Sequence, residues 1–185
     1  MIDKKRIEKL VYELLEAIGE NPSREGLKET PQRVAKMYEE IFSGINENPK
    51  DYIKVFKEPG QGNEIVLIKD IPFYSMCEHH LLPFFGHMNV AYIPKGGELI
   101  GLSKIIRIVN CFSKRLQVQE RMTKEIADFL FLGLGTLGVA VFIEAEHLCM
   151  TMRGVKSVGN KTKTYALKGL LSSDPQKKEE LYSLL

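Results

Sequence analysis

Apolar residues in the first 45 positions recur at intervals of three and four, which predicts two amphipathic helices. In the first helix, Asp3 is placed to cap the N-terminus and Gly19 is placed to end the helix. The second helix is predicted to begin at Thr30-Pro31, because threonine can cap a helix and proline suits its first turn. Glycine, proline and polar residues between positions 45 and 63 predict a surface connection.

From position 64 onward the pattern changes to short apolar runs that predict strands, interleaved with helices. Strands are expected at 65–68, 86–94, 139–152 and 161–171. Helices are expected after Ser103 as a cap, from about Gln117 into the 130s, and from Asp174-Pro175 to the end of the chain. This order predicts an α+β fold, in which an N-terminal helical segment (residues 1–62) precedes a sheet domain (residues 63–185).

The overall composition excludes several classes of protein. The 185 residues are 44% hydrophobic, enough for a core, and the net charge of +2 argues against a basic footprint for nucleic acid. The longest apolar run, 127–141, is broken by Asp128 and three glycines, and the N-terminus carries no long apolar stretch, so neither a membrane span nor a signal peptide is expected. Three cysteines argue against a closed disulfide framework, and Cys111, on the apolar side of a predicted helix, is expected to be a core thiol. We therefore expect a cytoplasmic protein with no nucleic-acid or membrane partner.

One glycine motif is expected to have no nucleotide-binding role. Residues 133–138, Gly-Leu-Gly-Thr-Leu-Gly, match the dinucleotide fingerprint, but that fingerprint needs a strand before it and a helix after it. Here the predicted helix comes first and the strand second. The pattern therefore indicates a glycine-rich turn from helix to strand.

Metal-binding residue types are concentrated in two short clusters. Residues 77–80, Cys-Glu-His-His, place a thiol and two imidazoles together, and the spacing of Cys77 and His80 lets both reach one ion from a tight turn. In the long predicted strand, His147 and Cys149 are two residues apart and would share a face. Each of these residues alone would be interpreted as a buried thiol or a hydrogen-bonded core histidine. Together they favour a metal site, and mixed thiolate and imidazole ligands favour zinc.

The number of ligands bears on what such a site does. Three protein ligands, Cys77, His80 and Cys149, would leave one position for water, which is typical of catalytic zinc. His79 and His147 would then remain nearby as proton carriers. The pattern therefore indicates a hydrolytic site, with hydroxide as the nucleophile.

A local excess of positive charge surrounds these clusters. Positions 101–168 contain 11 Lys or Arg and 5 Asp or Glu, although the whole chain is only +2. A single lysine here would be interpreted as part of a solvated helix face, but Arg153 follows Cys149 by four residues, and guanidinium groups beside a metal suit phosphate. Arg33 and Lys36, three apart on the second predicted helix, form another candidate pair.

Glu120 lies near the start of a predicted helix, in the sequence Gln-Val-Gln-Glu-Arg. Its carboxylate could accept two parallel hydrogen bonds, as from the N–H and amino groups of guanine. The alternative is a glutamate favoured in the first turn of a helix. The residues alone leave both interpretations open.

Five stretches with specific sequences follow one another along the chain. They are 30–37 (Thr-Pro-Gln-Arg-Val-Ala-Lys-Met), 75–80 (Ser-Met-Cys-Glu-His-His), 101–104 (Gly-Leu-Ser-Lys), 117–121 (Gln-Val-Gln-Glu-Arg) and 147–154 (His-Leu-Cys-Met-Thr-Met-Arg-Gly). In this order, and over nearly the whole chain, they resemble the GTP cyclohydrolase I family.

The resemblance implies a fold, an assembly and an activity. The fold would be a T-fold, an antiparallel sheet with two helices on one face, preceded here by helices. The assembly would be a homodecamer of two pentameric rings, with active sites at subunit interfaces. The activity would be zinc-dependent hydrolysis and rearrangement of GTP to 7,8-dihydroneopterin triphosphate and formate, the first step of tetrahydrofolate and pterin biosynthesis.

The resemblance also implies roles for residues at matching positions. Zinc would be held by Cys77, His80 and Cys149, and zinc-bound water would attack C8 of the guanine. Proton transfers would be assisted by His79 and His147. The guanine would be held by Glu120, with Gln119 also in the substrate site, and the triphosphate would be surrounded by Arg33, Lys36, Ser103, Lys104, Arg107 and Arg153.

The chain departs from the family near Asn160 and Tyr165, and the turn before Val139 lacks the family's usual proline. None of these positions is a proposed ligand, so the departures bear on strand packing. Two alternatives remain: a zinc protein of the same fold that binds without turnover, and a related T-fold amidohydrolase or reductase acting on another purine or pterin. Retention of both spare histidines argues against the first, and the reductases need a nucleophilic cysteine in a context that this chain lacks.

Overall fold

The computed structural model describes residues 2–59 and 62–185. The helices are α1 (Lys4–Ala17), α2 (Thr30–Ile41), α3 (Leu102–Ser113), α4 (Gln119–Leu134), α5 (Leu148–Thr151), α6 (Leu170–Ser173) and α7 (Pro175–Leu184). The strands are β1 (Val55–Lys57), β2 (Val66–Cys77), β3 (Pro83–Ile93), β4 (Glu98–Ile100), β5 (Leu116–Gln117), β6 (Gly138–His147) and β7 (Thr162–Gly169). Two 3₁₀ turns, Ser43–Ile45 and Pro49–Tyr52, follow α2.

Five strands form one mixed sheet in the order β5-β2-β3-β6-β7. The pairs β2–β3, β3–β6 and β6–β7 are antiparallel, whereas the two-residue β5 lies parallel to the end of β2. A register shift between Ile68 and Ile71 interrupts β2, where Asp70 takes a φ of 55°. The predicted α+β class is confirmed, and one short parallel pair makes the sheet mixed.

The main core lies between this sheet and helices α3 and α4. Successive side chains of a strand point to opposite faces, so Met88 and Val90 of β3 face the helices, where they are fully buried in one cluster with Ile126 of α4. A smaller cluster, which includes Ala91 and Leu181, joins the opposite face to α7. The two large helices therefore cover one face of the sheet.

The predicted cap of the first helix and the predicted start of the last helix are confirmed. Asp3 accepts a hydrogen bond from the amide of Arg6 at the start of α1. Asp174 accepts hydrogen bonds from the amides of Gln176 and Lys177 at the start of α7. Each carboxylate satisfies amides that have no partner within the helix, which is why these starts could be predicted locally.

Two other predicted caps are wrong. Thr30 lies inside α2, with Glu29 at the cap position, and Ser103 lies inside α3, with Gly101 at the cap position. Neither helix start has a side-chain cap. Gln117 precedes α4 because it pairs with the end of β2 as part of β5. α2 nevertheless begins at Thr30 as predicted, with Pro31 in its first turn.

The strand predicted at 139–152 is shorter than expected. β6 ends at His147, and the chain then turns into the short helix α5. The pairing of β6 with β3 ends at Phe84 and His147, one residue from the start of β3. The prediction that Cys149 shares a strand face with His147 is therefore wrong, because Cys149 lies on α5.

The glycine motif at 133–138 connects α4 to β6. α4 ends at Leu134, Gly135 takes the left-handed φ of 60°, and β6 begins at Gly138. A left-handed residue at this position is typical of a glycine that ends a helix. The prediction of a helix-to-strand turn is confirmed.

The departures from the family near Asn160 and Tyr165 leave the edge strand in place. β7 pairs with β6 along its full length, from Thr162 opposite Ala145 to Gly169 opposite Gly138. The exposed ring of Tyr165 stacks on Phe142 with centroids 6.0 Å apart. These substitutions are therefore compatible with a regular strand.

The N-terminal segment is tied to the rest of the chain. α1 packs along α2, and both 3₁₀ turns contact α3. β1 pairs with β4, so the segment contributes a strand as well as helices. The division at residue 62 stays a prediction. Within residues 2–59 and 62–185, no helix is both long enough and apolar enough to cross a membrane.

Candidate metal centre and active site

The first two candidate ligands lie in a tight turn at the end of β2. Cys77 is the last residue of β2, and its side chain is buried. The Cys77 amide donates to the carbonyl of Leu82 at 2.9 Å, and the Leu81 amide donates to the carbonyl of Cys77 at 2.9 Å. Leu81 takes a φ of 53°, which reverses the chain. This turn brings the His80 imidazole back beside the Cys77 thiol.

The third candidate ligand comes from a distant part of the chain. Phe84 pairs with His147, so the end of β6 lies next to the start of β3 and therefore next to the turn. α5 then presents Cys149. The ligand atoms of Cys77, His80 and Cys149 all lie within 4.8 Å of one another. Two thiols and one imidazole at these distances form a group that could bind a metal ion.

The electrostatic environment of the thiols fits a cation. Burial raises the pKa of the Cys149 thiol, the neighbouring Cys77 thiol raises it further, and Arg153 lowers it. A metal ion offsets the cost of ionising buried thiols because it binds the thiolate directly. Ligand bonds to such an ion are about 2.0–2.3 Å long, so one ion can be shared by donor atoms this close together.

His147 is held on two sides. Its ring stacks on Phe84, with centroids 4.7 Å apart and an angle of 1° between the planes. Its Nε2 lies 2.7 Å from Oε1 of Gln119. Burial lowers the pKa of His147, and the charge of Glu120 partly opposes that shift. The imidazole is therefore neutral near pH 7 and can accept a proton.

His79 and Glu120 lie beside the ligand group with exposed side chains. Nδ1 of His79 is 3.9 Å from Sγ of Cys77. Glu120 lies in the first turn of α4, close enough to His147 to act on its pKa. A bound molecule could reach both side chains from solvent.

Gln119 differs from its neighbour Glu120 because it points into the protein. It is 1% exposed. Its amide nitrogen donates to the carbonyls of Ile143 at 3.3 Å and Thr162 at 3.0 Å, and to the hydroxyl of Thr164 at 3.1 Å. Direct contact between the Gln119 side chain and a substrate stays a prediction, and these contacts do not favour it.

An ion pair that the sequence analysis did not predict joins the ligand turn to α4. Arg121 donates hydrogen bonds to both carboxylate oxygens of Glu78 and to Oε1 of Gln117. The pair lowers the pKa of Glu78 and raises that of Arg121. The only indication of this pair in the sequence is that each residue is next to a predicted site residue: Glu78 adjoins His79, and Arg121 adjoins Glu120.

The residues expected around the triphosphate are dispersed over one chain. Arg153 is exposed and lies close enough to Cys149 to lower its pKa. On α2, Arg33 and Lys36 are exposed, and Arg33 donates to Glu29 at 2.6 Å. One chain therefore brings Arg153 to the candidate metal group, while Arg33 pairs with Glu29 at the cap of its own helix.

Ser103 and Lys104 lie at the far end of α3 from the candidate metal group. The chain that follows the C-terminal end of α3 pairs with the end of β2, where Cys77 lies opposite Gln117. A helix rises about 1.5 Å per residue, which separates Ser103 from Ser113 by roughly 15 Å along the axis. Side chains in the first turn of α3 are thus remote from the candidate metal ligands of the same chain.

An α+β chain that brings two cysteines and a histidine together beside two further histidines and a carboxylate has the features of a metal-dependent enzyme. Comparison with known families makes the class specific. A sequence model described as GTP cyclohydrolase I matches residues 7–185. The chain belongs to the GTP cyclohydrolase I family.

Similar curated proteins cover the full length of the chain. A protein named GTP cyclohydrolase 1 from Caldanaerobacter subterraneus subsp. tengcongensis is 60% identical over 185 residues, covering 100% of this chain and 98% of that protein. Proteins of the same name from Thermoanaerobacter pseudethanolicus and Clostridioides difficile are 58% and 55% identical, covering 98% and 97% of their own lengths. The match to a solved archaeosine synthase QueF-like structure covers 59% of this chain and 97% of that chain at 16% identity, with a TM-score of 0.46.

Proposed function

We propose that this protein is a zinc-dependent GTP cyclohydrolase. It converts GTP and water to 7,8-dihydroneopterin triphosphate and formate, at the start of pterin and tetrahydrofolate biosynthesis. The observation that carries the proposal is the convergence of Cys77, His80 and Cys149 within 4.8 Å, in a family member whose full-length relatives are named GTP cyclohydrolase 1.

Cys77, His80 and Cys149 would hold the zinc ion. Mixed sulfur and nitrogen donors suit zinc, and three protein ligands leave one position for water or substrate. When bound, the ion supplies Lewis acidity and a water nucleophile of near-neutral pKa. The protein contributes the turn and the helix α5 that hold the three donors together.

His147 and His79 would move protons. Because burial keeps His147 neutral near pH 7, its imidazole can take up a proton while the five-membered ring of guanine opens. It can return that proton as formate leaves. His79 is exposed and lies 3.9 Å from Cys77, where it can exchange protons between the reacting atoms and solvent.

Glu120 would recognise the guanine. Its carboxylate is exposed in the first turn of α4 and lies near His147. A carboxylate can accept from both the ring N–H and the amino group of guanine, which adenine does not offer in that pattern. Glu120 would thus orient the purine with C8 towards the ligand group.

The triphosphate would bind where copies of the chain meet. Ser103 and Lys104 lie roughly 15 Å along α3 from the end that adjoins β2, so one chain does not bring them to its own metal ligands. A second copy of the chain could bring its own Ser103 and Lys104 to these ligands. This separation supports a homo-oligomer with shared sites, for which we propose the decamer of two pentameric rings. The triphosphate set would comprise Ser103, Lys104, Arg107, Arg153, Arg33 and Lys36.

We also assign the sheet and its two covering helices to the T-fold. The support is the antiparallel β2–β3–β6–β7 order with α3 and α4 packed on one face. Residues 1–62 would form the preceding helical segment and residues 63–185 the catalytic domain.

Turnover of GTP by zinc-loaded protein tests the proposal. We expect formate and 7,8-dihydroneopterin triphosphate in equal amounts, the latter measured as a fluorescent pterin after oxidation with added iodine. GTP should be used far better than guanosine because the basic residues hold the triphosphate. A matched control is His87→Ala, since His87 is an exposed residue on β3 outside the site. Zinc-loaded protein that binds GTP without releasing formate would instead identify a binding protein. Release from another purine or pterin in preference to GTP would identify a different T-fold enzyme.

A further inference from the structure

A buried polar network connects α4, β6 and β7 to one nitrogen of His147. Gln119 lies at its centre and is 1% exposed, as is Thr123 one turn further along α4. Thr164 reaches the network from β7. The network lies behind the candidate site rather than on its exposed side.

The partners of Gln119 determine which way its amide points. Two backbone carbonyls, those of Ile143 and Thr162, lie 3.3 and 3.0 Å from the amide nitrogen. Carbonyl oxygens only accept hydrogen bonds, so the NH₂ group must face them. In the opposite orientation the amide oxygen of Gln119 would face these two carbonyl oxygens, with no proton between them. The amide oxygen of Gln119 therefore faces His147.

The two hydroxyls of the network are ordered in the same way. The Thr123 hydroxyl donates its proton to the Gln119 backbone carbonyl at 2.7 Å. The 2.7 Å contact between the Thr123 and Thr164 hydroxyls must then use the proton of Thr164. The Thr164 oxygen remains free to accept from the Gln119 amide at 3.1 Å. Both hydroxyl protons therefore have a defined acceptor, which is consistent with the orientation of the Gln119 amide.

This arrangement specifies the tautomer of His147. Because the Gln119 oxygen accepts, Nε2 of His147 must carry a proton and donate across the 2.7 Å contact. In the neutral ring Nδ1 then has no proton and is the nitrogen that can accept one. The parallel stacking on Phe84 restricts tilt of the ring, while Gln119 restricts its rotation.

We propose that Gln119 is a positioning residue that holds His147 in its Nε2–H tautomer, and that Thr123 and Thr164 in turn hold Gln119. On this assignment Gln119 does not contact the substrate, although its neighbour Glu120 does. The inference rests on the proposed function, because it concerns a histidine that transfers protons in that reaction.

The first test is Gln119→Met, which keeps the length of the side chain and removes its polar atoms. We expect kcat for GTP to fall by about 10- to 100-fold, because a His147 ring without this hydrogen bond is no longer held in position for proton transfer. KM for GTP and the zinc content should stay within twofold, because neither the substrate nor the metal loses a contact. Histidine-selective ¹⁵N NMR of the zinc-loaded protein should show the protected Nε2–H signal of His147 in wild type and its loss in the variant.

The second test uses the hydroxyls, which can be removed without leaving backbone carbonyls of β6 and β7 unpaired. Thr123→Val and Thr164→Val should each lower kcat and weaken the same Nε2–H signal, and Thr123→Ser and Thr164→Ser should restore most of the loss. Thr136→Val is the matched control, because the buried Thr136 hydroxyl has no hydrogen-bond partner among residues 2–59 and 62–185. It should leave kcat, KM and the NMR signal unchanged.

Two results would overturn the proposal. One is a rise in KM with unchanged kcat in Gln119→Met, which would identify Gln119 as a substrate contact. The other is an NMR result in which the Nε2–H signal of His147 either persists in Gln119→Met or is absent in wild type. The NMR measurement needs no turnover, so its outcome is separate from that of the GTP assay. Wild-type protein with the signal but without formate release would contradict the proposed function and leave the tautomer assignment standing.

Discussion

Arg121 joins α4 to the ligand turn by donating hydrogen bonds to both carboxylate oxygens of Glu78. Each residue adjoins a candidate site residue, because Glu78 precedes His79 and Arg121 follows Glu120. The backbone strengthens the same connection, since the Glu78 amide donates to the carbonyl of Gln117 at 3.1 Å. The pair therefore links the side of the site proposed to hold metal to the side proposed to hold guanine.

Breaking this pair is expected to impair turnover without removing zinc. In Arg121→Lys the paired donation is lost, and Glu120 can shift relative to the metal ligands. A misplacement of about 1 Å can cost as much as 100-fold in rate, so we expect kcat/KM for GTP to fall by roughly 10-fold. Steady-state kinetics and metal analysis on the same preparation measure the two quantities.

A double-mutant cycle tests whether the loss comes from the pair. Glu78→Gln and the double variant should lose about as much as Arg121→Lys alone, because each change removes the same interaction. Lys124→Gln, an exposed lysine on the same helix, is the control and should match wild type. Additive losses in the double variant would show that the two residues act independently.

Substitution of a proposed metal ligand and of a proposed proton carrier should have different effects on zinc binding. Cys149→Ser should abolish stoichiometric zinc binding and turnover together, because one of three ligand atoms is weakened. His147→Ala should retain zinc and lose turnover, since its ring contacts Gln119 and Phe84. Metal analysis measures the zinc content of each variant, and the formate assay measures its turnover. Equal zinc loss in the two variants would contradict this division of roles.

Removal of metal is expected to expose the two thiols to oxidation. The sulfur atoms of Cys77 and Cys149 lie within 4.8 Å of each other, so chelated protein in air should form a disulfide between them. Peptide mass spectrometry should detect the linked pair and show zinc protecting both thiols. Cys111 provides the internal control: it is fully buried and contacts Arg115, so it should remain reduced. Two free thiols after prolonged exposure would argue against the observed proximity.

Glu144 should contribute to the loss of folding stability at acidic pH. Lys161 and Lys163 each contact this carboxylate and lower its pKa from 4.5 to about 2. A depressed carboxyl pKa stabilises the folded state above pH 4.5, and that stabilisation is lost as the pH falls from 4.5 towards 2. Glu144→Gln should therefore be less stable than wild type at pH 6, with a difference that disappears near pH 2.

Urea unfolding at a series of pH values measures this difference, and NMR titration reports the Glu144 carboxyl directly. The Glu144 side chain is half-buried and its ion pairs remain accessible to salt, so the effect should be small and should shrink at high ionic strength. Lys163→Ala should raise the pKa of Glu144 by removing one of its two partners. A carboxyl that titrates at 4.5 in wild type would show that neither lysine is held against it in solution.

Local chemistry explains which parts of the fold the sequence could predict. Asp3 and Asp174 cap helices through amides two or three residues away, and Gly135 ends α4 by its own backbone conformation. These features depend on few neighbours, so a short window contains them. The predicted strand at 65–68 instead extends to Cys77, because its far half pairs with β3 and β5. The local pattern of apolar residues cannot predict pairing with strands that lie so far away in the sequence.

The candidate site shows the same limit. The sequence shows both ligand clusters as unusual concentrations of cysteine and histidine, but the predicted position of Cys149 on a strand face is wrong. What brings the clusters together is the pairing of Phe84 with His147, which no spacing rule contains. The inward orientation of Gln119 was likewise invisible, since its partners come from β6 and β7.

The sequence by itself determined the chemistry available to this protein: two thiols and imidazoles for a metal, a carboxylate suited to guanine, and basic residues suited to phosphate. Residue type and short spacing carry that information. Only the tertiary structure decided which of these groups meet, because strand register and helix packing set distances between residues far apart in the chain. It placed Cys149 beside Cys77, turned Gln119 towards His147, and left Ser103 at the far end of α3.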